Sequence, residues 1–188
     1  MNEVEVKKPF SLSEIYDNET VIEIAKIEQL NSILCSKPNE NWVKTNKYAN
    51  NSRYLPIDKV EFLLRKIFKQ FKIEITGQGV AFNGVWVSVR VHYIDPISKE
   101  WRYHDGIGAE ALQVKQGSSP AQLENINKGA LSIAFPIAKS YAVKDACDHL
   151  GDIFGANLNR KDSIDFYVDN KIIENAEKAK EIFSKIIN

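Results

Sequence analysis

The sequence has little of several features that mark particular classes of protein. Only two cysteines and six prolines occur in 188 residues, which excludes a disulfide framework and a collagen-like chain. No apolar run approaches the roughly 20 residues that a transmembrane helix needs. The first residues, MNEVEVKKPF, lack the apolar segment of a signal peptide. These absences predict a cytoplasmic protein that has no membrane-spanning part.

Net charge is also lacking, because 25 lysines and arginines balance 25 acidic residues. A globally basic nucleic-acid binder is therefore excluded. The segment 41–72 is different, since it holds eight basic residues against Asp58 and Glu61. Such a segment either attracts phosphate or forms the solvated face of a helix, and composition alone favours the solvated face.

Apolar periodicity predicts helices on both sides of a central sheet. Residues 19–35 and 171–187 have helical spacing, and 36–56 has the composition of a loop or extended arm. The spacing predicts another helix over 58–72, with Asp58 as its N-cap. Its apolar stripe is Val60, Leu63, Leu64, Ile67, Phe68 and Phe71. Its cationic side is Lys59, Arg65, Lys66, Lys69 and Lys72.

The centre of the chain predicts three antiparallel strands. Asn83-Gly84 is a strong hairpin signal, and the segment VWVSVRVHY that follows it alternates apolar and polar residues. We expect Arg90, and Arg102 on the third strand, on the polar face. A long helix follows, with Pro136 in its first turn, Tyr141 on its buried side and Gly155 as its C-cap. The predicted class is α+β: a three-stranded meander on a long helix, a β-β-β-α core, with additional N- and C-terminal helices.

Motifs for catalysis are scarce. The sequence has neither a P-loop nor a GxGxxG loop, and the pairs Gly77/Gly79 and Gly106/Gly108 fit bulges or tight packing better. The one metal-ligand set that can be imagined is His92, His104 and Asp105, and two surface histidines are the simpler interpretation. We therefore expect no cofactor, no metal and no enzymatic activity.

What remains is a set of cations and aromatics suited to single-stranded nucleic acid, because cations neutralise phosphates and aromatic rings stack on bases. An ordinary α+β domain with surface cations is the alternative. The candidate DNA-binding residues are Arg53, Lys59, Arg65, Lys66, Arg90, Arg102, Lys139, Lys144, Arg160 and Lys161.

Four segments, in order, resemble the annealing domain of the Rad fifty-two family and its phage relatives such as Sak. They are PNENWV, YLPIDKVEFLLRKIF, VWVSVRVHYIDPISKEWRYHDGIGA and AVKDACDHLGDIFGANLNRKD. The resemblance covers roughly residues 38–165. It implies one annealing-type domain over 1–188, with an N-terminal helical extension at 1–37 and a C-terminal helix at 166–188. The long C-terminal region of eukaryotic members has no counterpart, which favours a phage or bacterial recombinase.

The resemblance also implies a function. Proteins of that family bind single-stranded DNA without ATP, form rings or filaments, and anneal complementary strands in recombination and repair. Lys59 stands where the family has a DNA-contacting arginine. Where the family's signature helix has an adjacent Lys-Arg pair, this chain has Asp148-His149. We expect other cations to replace that pair: Lys139, Lys144, Arg160 or Lys161. A host single-strand binding protein is a further candidate partner.

Two other hypotheses stay open on sequence. The order α-β-β-β-α is also that of a double-stranded RNA-binding module, but the chain is long for it. It also lacks a compact basic cluster at the start of the last core helix. The other is a small metal-dependent enzyme that uses the face carrying His92 and His104.

Overall fold

The computed structural model describes residues 17–47, 49–119, 122–162, 166 and 170–187. This part of the chain contains four α-helices and two antiparallel sheets, which confirms the α+β class. None of its helices is both long and apolar enough to cross a membrane. In chain order the elements are α1 (Asn18–Leu34), β1 (Lys44–Asn46), β2 (Ser52–Tyr54), α2 (Ile57–Ile67), β3 (Phe71–Ala81), β4 (Gly84–Ile94), β5 (Trp101–Ala111), α3 (Ala130–Asp148) and α4 (Asn170–Ile187).

The chain divides into two compact units, one of which is Leu34–Ile164. The other comprises Met1–Ile33 and Asp165–Asn188, and residues 1–16 of the predicted N-terminal extension lie outside the described part. This second unit has its own small apolar cluster, formed by Val21, Ala25, Ile172 and Ala176. The assignment of the whole chain to one annealing-type domain stays a prediction.

The main sheet has the strand order β3-β4-β5. Along β4 the four valines from Val85 to Val91 are buried, and the residues between them face the other way. This alternation matches the prediction from VWVSVRVHY. We call the valine side of the sheet the inner face and the side of Trp86 and Arg90 the outer face.

Helix α3 lies against the inner face at β5, where two glycines allow a close approach. A Cβ atom added to Gly106 would lie 2.2 Å from the carbonyl oxygen of Ala142, and one added to Gly108 would lie 2.2 Å from that of Ala138. Alanines at intervals of four along α3, which include Ala146, form the matching buried stripe. The expectation that Gly106 and Gly108 are tight-packing positions is confirmed.

The two glycines of β3 make room for a side chain on the outer face. Gly77 follows the irregular register after Ile75, and the Trp86 indole lies against Gly77 and Gly79. A Cβ on Gly79 would come within 2.7 Å of the indole nitrogen. Both interpretations offered by the sequence, a bulge and tight packing, therefore apply to this pair.

The predicted helix over 58–72 is wrong at both ends. Helix α2 begins at Ile57 after Pro56, so Asp58 lies in its first turn and is not its N-cap. It ends at Ile67, and Lys69 then takes a left-handed conformation with φ of 63°. Phe71 and Lys72 consequently belong to β3. The apolar spacing suggested one longer helix because residues that face the core continue without a break from α2 into β3.

The prediction for the long helix also needs correction. Helix α3 begins at Ala130, after Gly129 in a left-handed conformation, so Pro136 lies inside the helix and not in its first turn. It ends at Asp148, and Gly155 caps the separate 3-10 turn Asp152–Phe154. The sequence did not reveal that the helix ends before 149–151, because the apolar residues that follow fit a continued helical spacing.

Three smaller predictions are also wrong. The segment 36–56 is not all loop, because β1 and β2 form a small antiparallel hairpin within it. The β3–β4 turn is Phe82-Asn83, and Gly84 already pairs with Ala81. Arg102 pairs with Tyr93, so it lies on the inner face and not beside Arg90.

Candidate nucleic-acid interface

One side of α3 faces the β1–β2 hairpin and forms a groove with it. Ala138 and Ala142 face the sheet. The residues one position before and two positions after each of these alanines therefore lie on a different side of the helix. The result is an open groove of about 560 Å³, which we call the Lys144 groove. Its lining is Asn46, Ala49, Ser52, Tyr54, Pro136, Ile137, Ser140, Tyr141 and Lys144.

Lys144 is held between two aromatic rings in this groove. Its Nζ lies 4.8 Å from the ring centre of Tyr54 and 5.7 Å from that of Tyr141, which are cation–π distances. Among the described residues it forms no ion pair within 4.0 Å. Burial lowers the pKa of Lys144, and the carboxylates of Asp148 and Asp58 act in the opposite direction. A cation that is partly desolvated and unpaired gains more from a bound anion than a fully hydrated one.

The two tyrosine rings remain accessible. Tyr54 is 39% exposed and Tyr141 is 42% exposed, so the prediction that Tyr141 belongs to the buried side of the helix is wrong. Burial raises the pKa of the Tyr141 hydroxyl, which therefore stays neutral at ordinary pH. The groove thus combines one positioned positive charge with two accessible aromatic surfaces.

Lys59 stands at the start of α2 beside another aromatic residue, Trp42. Its Nζ lies 5.8 Å from the Trp42 ring centre and 2.9 Å from the Asp58 carboxylate. Trp42 in turn packs edge-on against Phe62, with ring centres 5.7 Å apart. Since Asp58 also acts electrostatically on Lys144, the two lysines share one acidic neighbour.

An acidic side chain limits the positive charge of the Lys144 groove. The carboxyl of Asp148 is partly withdrawn from water although the residue as a whole is exposed, and this burial, with the Asp145 carboxylate second, raises its pKa to about 6. His149 and Lys144 act in the opposite direction. Asp145 itself accepts a 2.9 Å hydrogen bond from the Ile107 amide.

Arg53 and Arg160 lie together beside a different, smaller cavity of about 150 Å³. Arg53 forms an ion pair with Glu40, and its backbone amide donates a 2.8 Å hydrogen bond to Asn159. Asn159 returns a 2.8 Å bond to the Arg53 carbonyl. These contacts fasten β2 to the loop after the 3-10 turn, so the structure gives Arg53 an architectural position.

The outer face holds Arg90 in a neutral arrangement. Its guanidinium donates to both carboxylate oxygens of Asp105, at 2.7 and 2.8 Å, and lies 4.1 Å from the Tyr103 ring centre. Hydrogen bonds from Arg90 lower the pKa of Asp105, and the same bonds raise that of Arg90. A phosphate would have to displace a bidentate partner here.

The remaining candidate cations are dispersed. Arg65 lies over Phe71 at 5.6 Å, and Arg102 contacts Asp95 at 3.5 Å. Lys139 lines a pocket between β3 and α3. Lys66 and Lys161 are exposed.

The imagined metal set is not assembled. Across β4 and β5, His92 pairs with Tyr103 and His104 pairs with Val91, so the two histidines lie on opposite faces of the sheet. The His104 ring contacts the Tyr93 hydroxyl and stacks on His149 with ring centres 5.5 Å apart. Burial lowers the pKa of His104. Within the described residues no group of three His, Cys, Asp or Glu side chains is placed to hold a metal ion. The shared His92/His104 face was therefore a wrong expectation.

The two tyrosines are the site residues that sequence reasoning missed. Tyr141 and Lys144 are three apart on a helix, a spacing that places them side by side, so this pair could have been found. Tyr54 reaches the groove only because the β1–β2 hairpin folds over α3, and no local pattern reports that.

No protein-family model matches the sequence, and no curated protein matches it.

Proposed function

We propose that this protein binds single-stranded DNA and anneals complementary strands without ATP, as an oligomeric ring or filament. The observation that carries the proposal is the Lys144 groove, where a partly desolvated ammonium that forms no ion pair with any described residue lies between two accessible tyrosine rings. Such a site attracts a phosphate and offers stacking surfaces without reading base edges. Strands held in this way keep their pairing edges free.

The family resemblance supports the same proposal. The structure has three strands followed by a helix that packs closely against two glycines. This order matches the β-β-β-α unit expected for a Rad fifty-two or Sak-type annealing protein. Lys59, at the position of that family's DNA-contacting arginine, shares Asp58 with Lys144. We place the DNA path along both lysines, in a phage or bacterial protein that takes part in recombination and repair and works without catalytic residues or a cofactor.

The test is strand annealing in the absence of ATP and divalent metal. Wild-type protein should accelerate duplex formation from two complementary labelled oligonucleotides, and the acceleration should fade as salt rises, because phosphate contacts release counterions. The double variant K59A/K144A should lose most of this acceleration. K99A is the control, since Lys99 lies in the β4–β5 turn, where its ammonium contacts the Pro96 carbonyl.

Three results would contradict the proposal. They are no acceleration by the wild type at low salt, equal losses in K99A and K59A/K144A, and tighter binding to double-stranded RNA than to single-stranded DNA. The last result would favour the RNA-binding module.

A further inference from the structure

The β3–β4 hairpin carries an apolar side chain at its tip. Phe82 and Asn83 form the turn between two strands of 11 residues each. Phe82 is 96% exposed and has φ of 53°. Positive φ is uncommon for a bulky residue, and a turn at this position ordinarily takes glycine or asparagine. A fully exposed phenylalanine in a conformation that does not suit it indicates a role beyond making the turn.

The same chain has an apolar pocket that no described side chain fills. It lies between β3 and α3, has a volume of about 330 Å³, and is lined by Ile75, Gln78, Val87, Phe135, Pro136 and Lys139. We call it the β3–α3 pocket. It exists because α3 covers the inner face at β4 and β5 and leaves β3 open. The valines of β4 are buried, whereas Ile75 is 49% and Val80 55% exposed.

Phe82 cannot enter the β3–α3 pocket of its own chain. The nearest β3 residue of its lining, Gln78, lies four residues before Phe82, which corresponds to about 13 Å along an extended strand. The strand pairing from Gly77 to Ala81 is regular and keeps the hairpin tip at that separation from the pocket. Any insertion of this ring into this pocket must therefore join two molecules.

We propose that Phe82 of one copy inserts into the β3–α3 pocket of the next copy, in a head-to-tail contact. Charges at the two ends fit this pairing, since Glu110 lies beside the hairpin tip and Lys139 lies at the pocket. Because knob and pocket are different surfaces, the contact is heterologous, and repetition generates a closed ring or an open filament. The inference rests on the oligomeric part of the proposed function and is independent of its DNA-binding part.

The test uses two single variants, each defective in one half of the contact. Phe82→Ala removes the knob, and Ile75→Glu places a charge in the pocket. By sedimentation velocity the wild type should run far above its 21.4 kDa chain mass, and each variant should run as a monomer. An equimolar mixture should form dimers only, because the intact Phe82 of one variant meets the intact pocket of the other.

The controls separate assembly from folding and from DNA binding. Trp101→Ala removes another exposed aromatic, from the start of β5, and should leave the oligomer unchanged. Phe82→Leu keeps an apolar knob and should restore assembly. Circular dichroism melts show whether Ile75→Glu still folds, and if it does not, Lys139→Glu, which opposes Glu110, replaces it with the same expectation. A monomeric wild type, a large oligomer in Phe82→Ala, or a mixture that stays monomeric would each overturn the inference. Fluorescence anisotropy with labelled single-stranded DNA reports on the proposed function separately.

Discussion

The outer face of the sheet and the Lys144 groove both carry a cation beside aromatic rings, but they handle its charge differently. Arg90 lies over Tyr103 and is neutralised by two hydrogen bonds to Asp105. Lys144 lies near two tyrosines and has no ion-pair partner among the described residues. The comparison teaches that a basic residue indicates a phosphate site only where its charge is not already satisfied.

The inner face differs from the outer face in how firmly it is packed, and this gives the largest expected effect. Gly108→Ala would place a Cβ 2.2 Å from a backbone oxygen of α3, and a helix backbone cannot yield locally. We expect a loss of about 3 kcal/mol or more. Gly79→Ala meets only the Trp86 side chain, which can turn aside, so its loss should be about 1 kcal/mol or less. Thermal and urea unfolding of the two variants measures the difference, and similar losses would contradict this view of the two faces.

The groove should also respond to pH through Asp148. Its pKa is raised to about 6, chiefly by burial, so the carboxylate forms between about pH 5 and 7 and opposes phosphate beside Lys144. We expect Asp148→Asn to bind single-stranded DNA about three-fold tighter than wild type at pH 7.5, and equally at pH 5. His104 and His149 are present in both proteins, so the difference between the two binding curves isolates Asp148.

The same substitution has a stability counterpart with a defined sign. A carboxyl whose folded-state pKa lies above the unfolded value favours the folded protein below the unfolded pKa, and that contribution is lost as pH rises through about 6. Asp148→Asn should therefore be slightly more stable than wild type at pH 7.5, by less than about 1 kcal/mol because the residue is exposed, and equal to it near pH 4. A pH-independent difference in both binding and stability would show that Asp148 does not act on the groove.

The sequence predicted the sheet well because period-two alternation is a local signal. The valines of β4 from Val85 to Val91 face the core as expected, and Gly106 and Gly108 are tight-packing positions as expected. Helix ends were less predictable, since Lys69 turns the chain where apolar spacing continues on both sides and Gly129 precedes a helix that begins before Pro136. These turns depend on how the flanking elements pack, which spacing does not report.

The candidate site was predictable only in part. Lys59 and Lys144 were named from the sequence, but so were Arg53 and Arg90, and only folding shows that these two are occupied by Glu40 and Asp105. The partners are 13 and 15 residues apart in sequence, and whether opposite charges at such separations meet depends on how the chain folds between them. Tyr54 was missed for the same reason.

The smallest expected effect belongs to Arg90, and it leads to the most direct test of the central claim. Single-stranded DNA binding should be measured by fluorescence anisotropy over a range of salt for wild type, Arg90→Ala and Lys144→Ala. We expect Lys144→Ala to bind about ten-fold more weakly, which is about 1.4 kcal/mol, with a log–log salt slope smaller by about 0.7. Arg90→Ala should change affinity less than about two-fold. Equal losses in the two variants, or a loss in Arg90→Ala alone, would contradict the account.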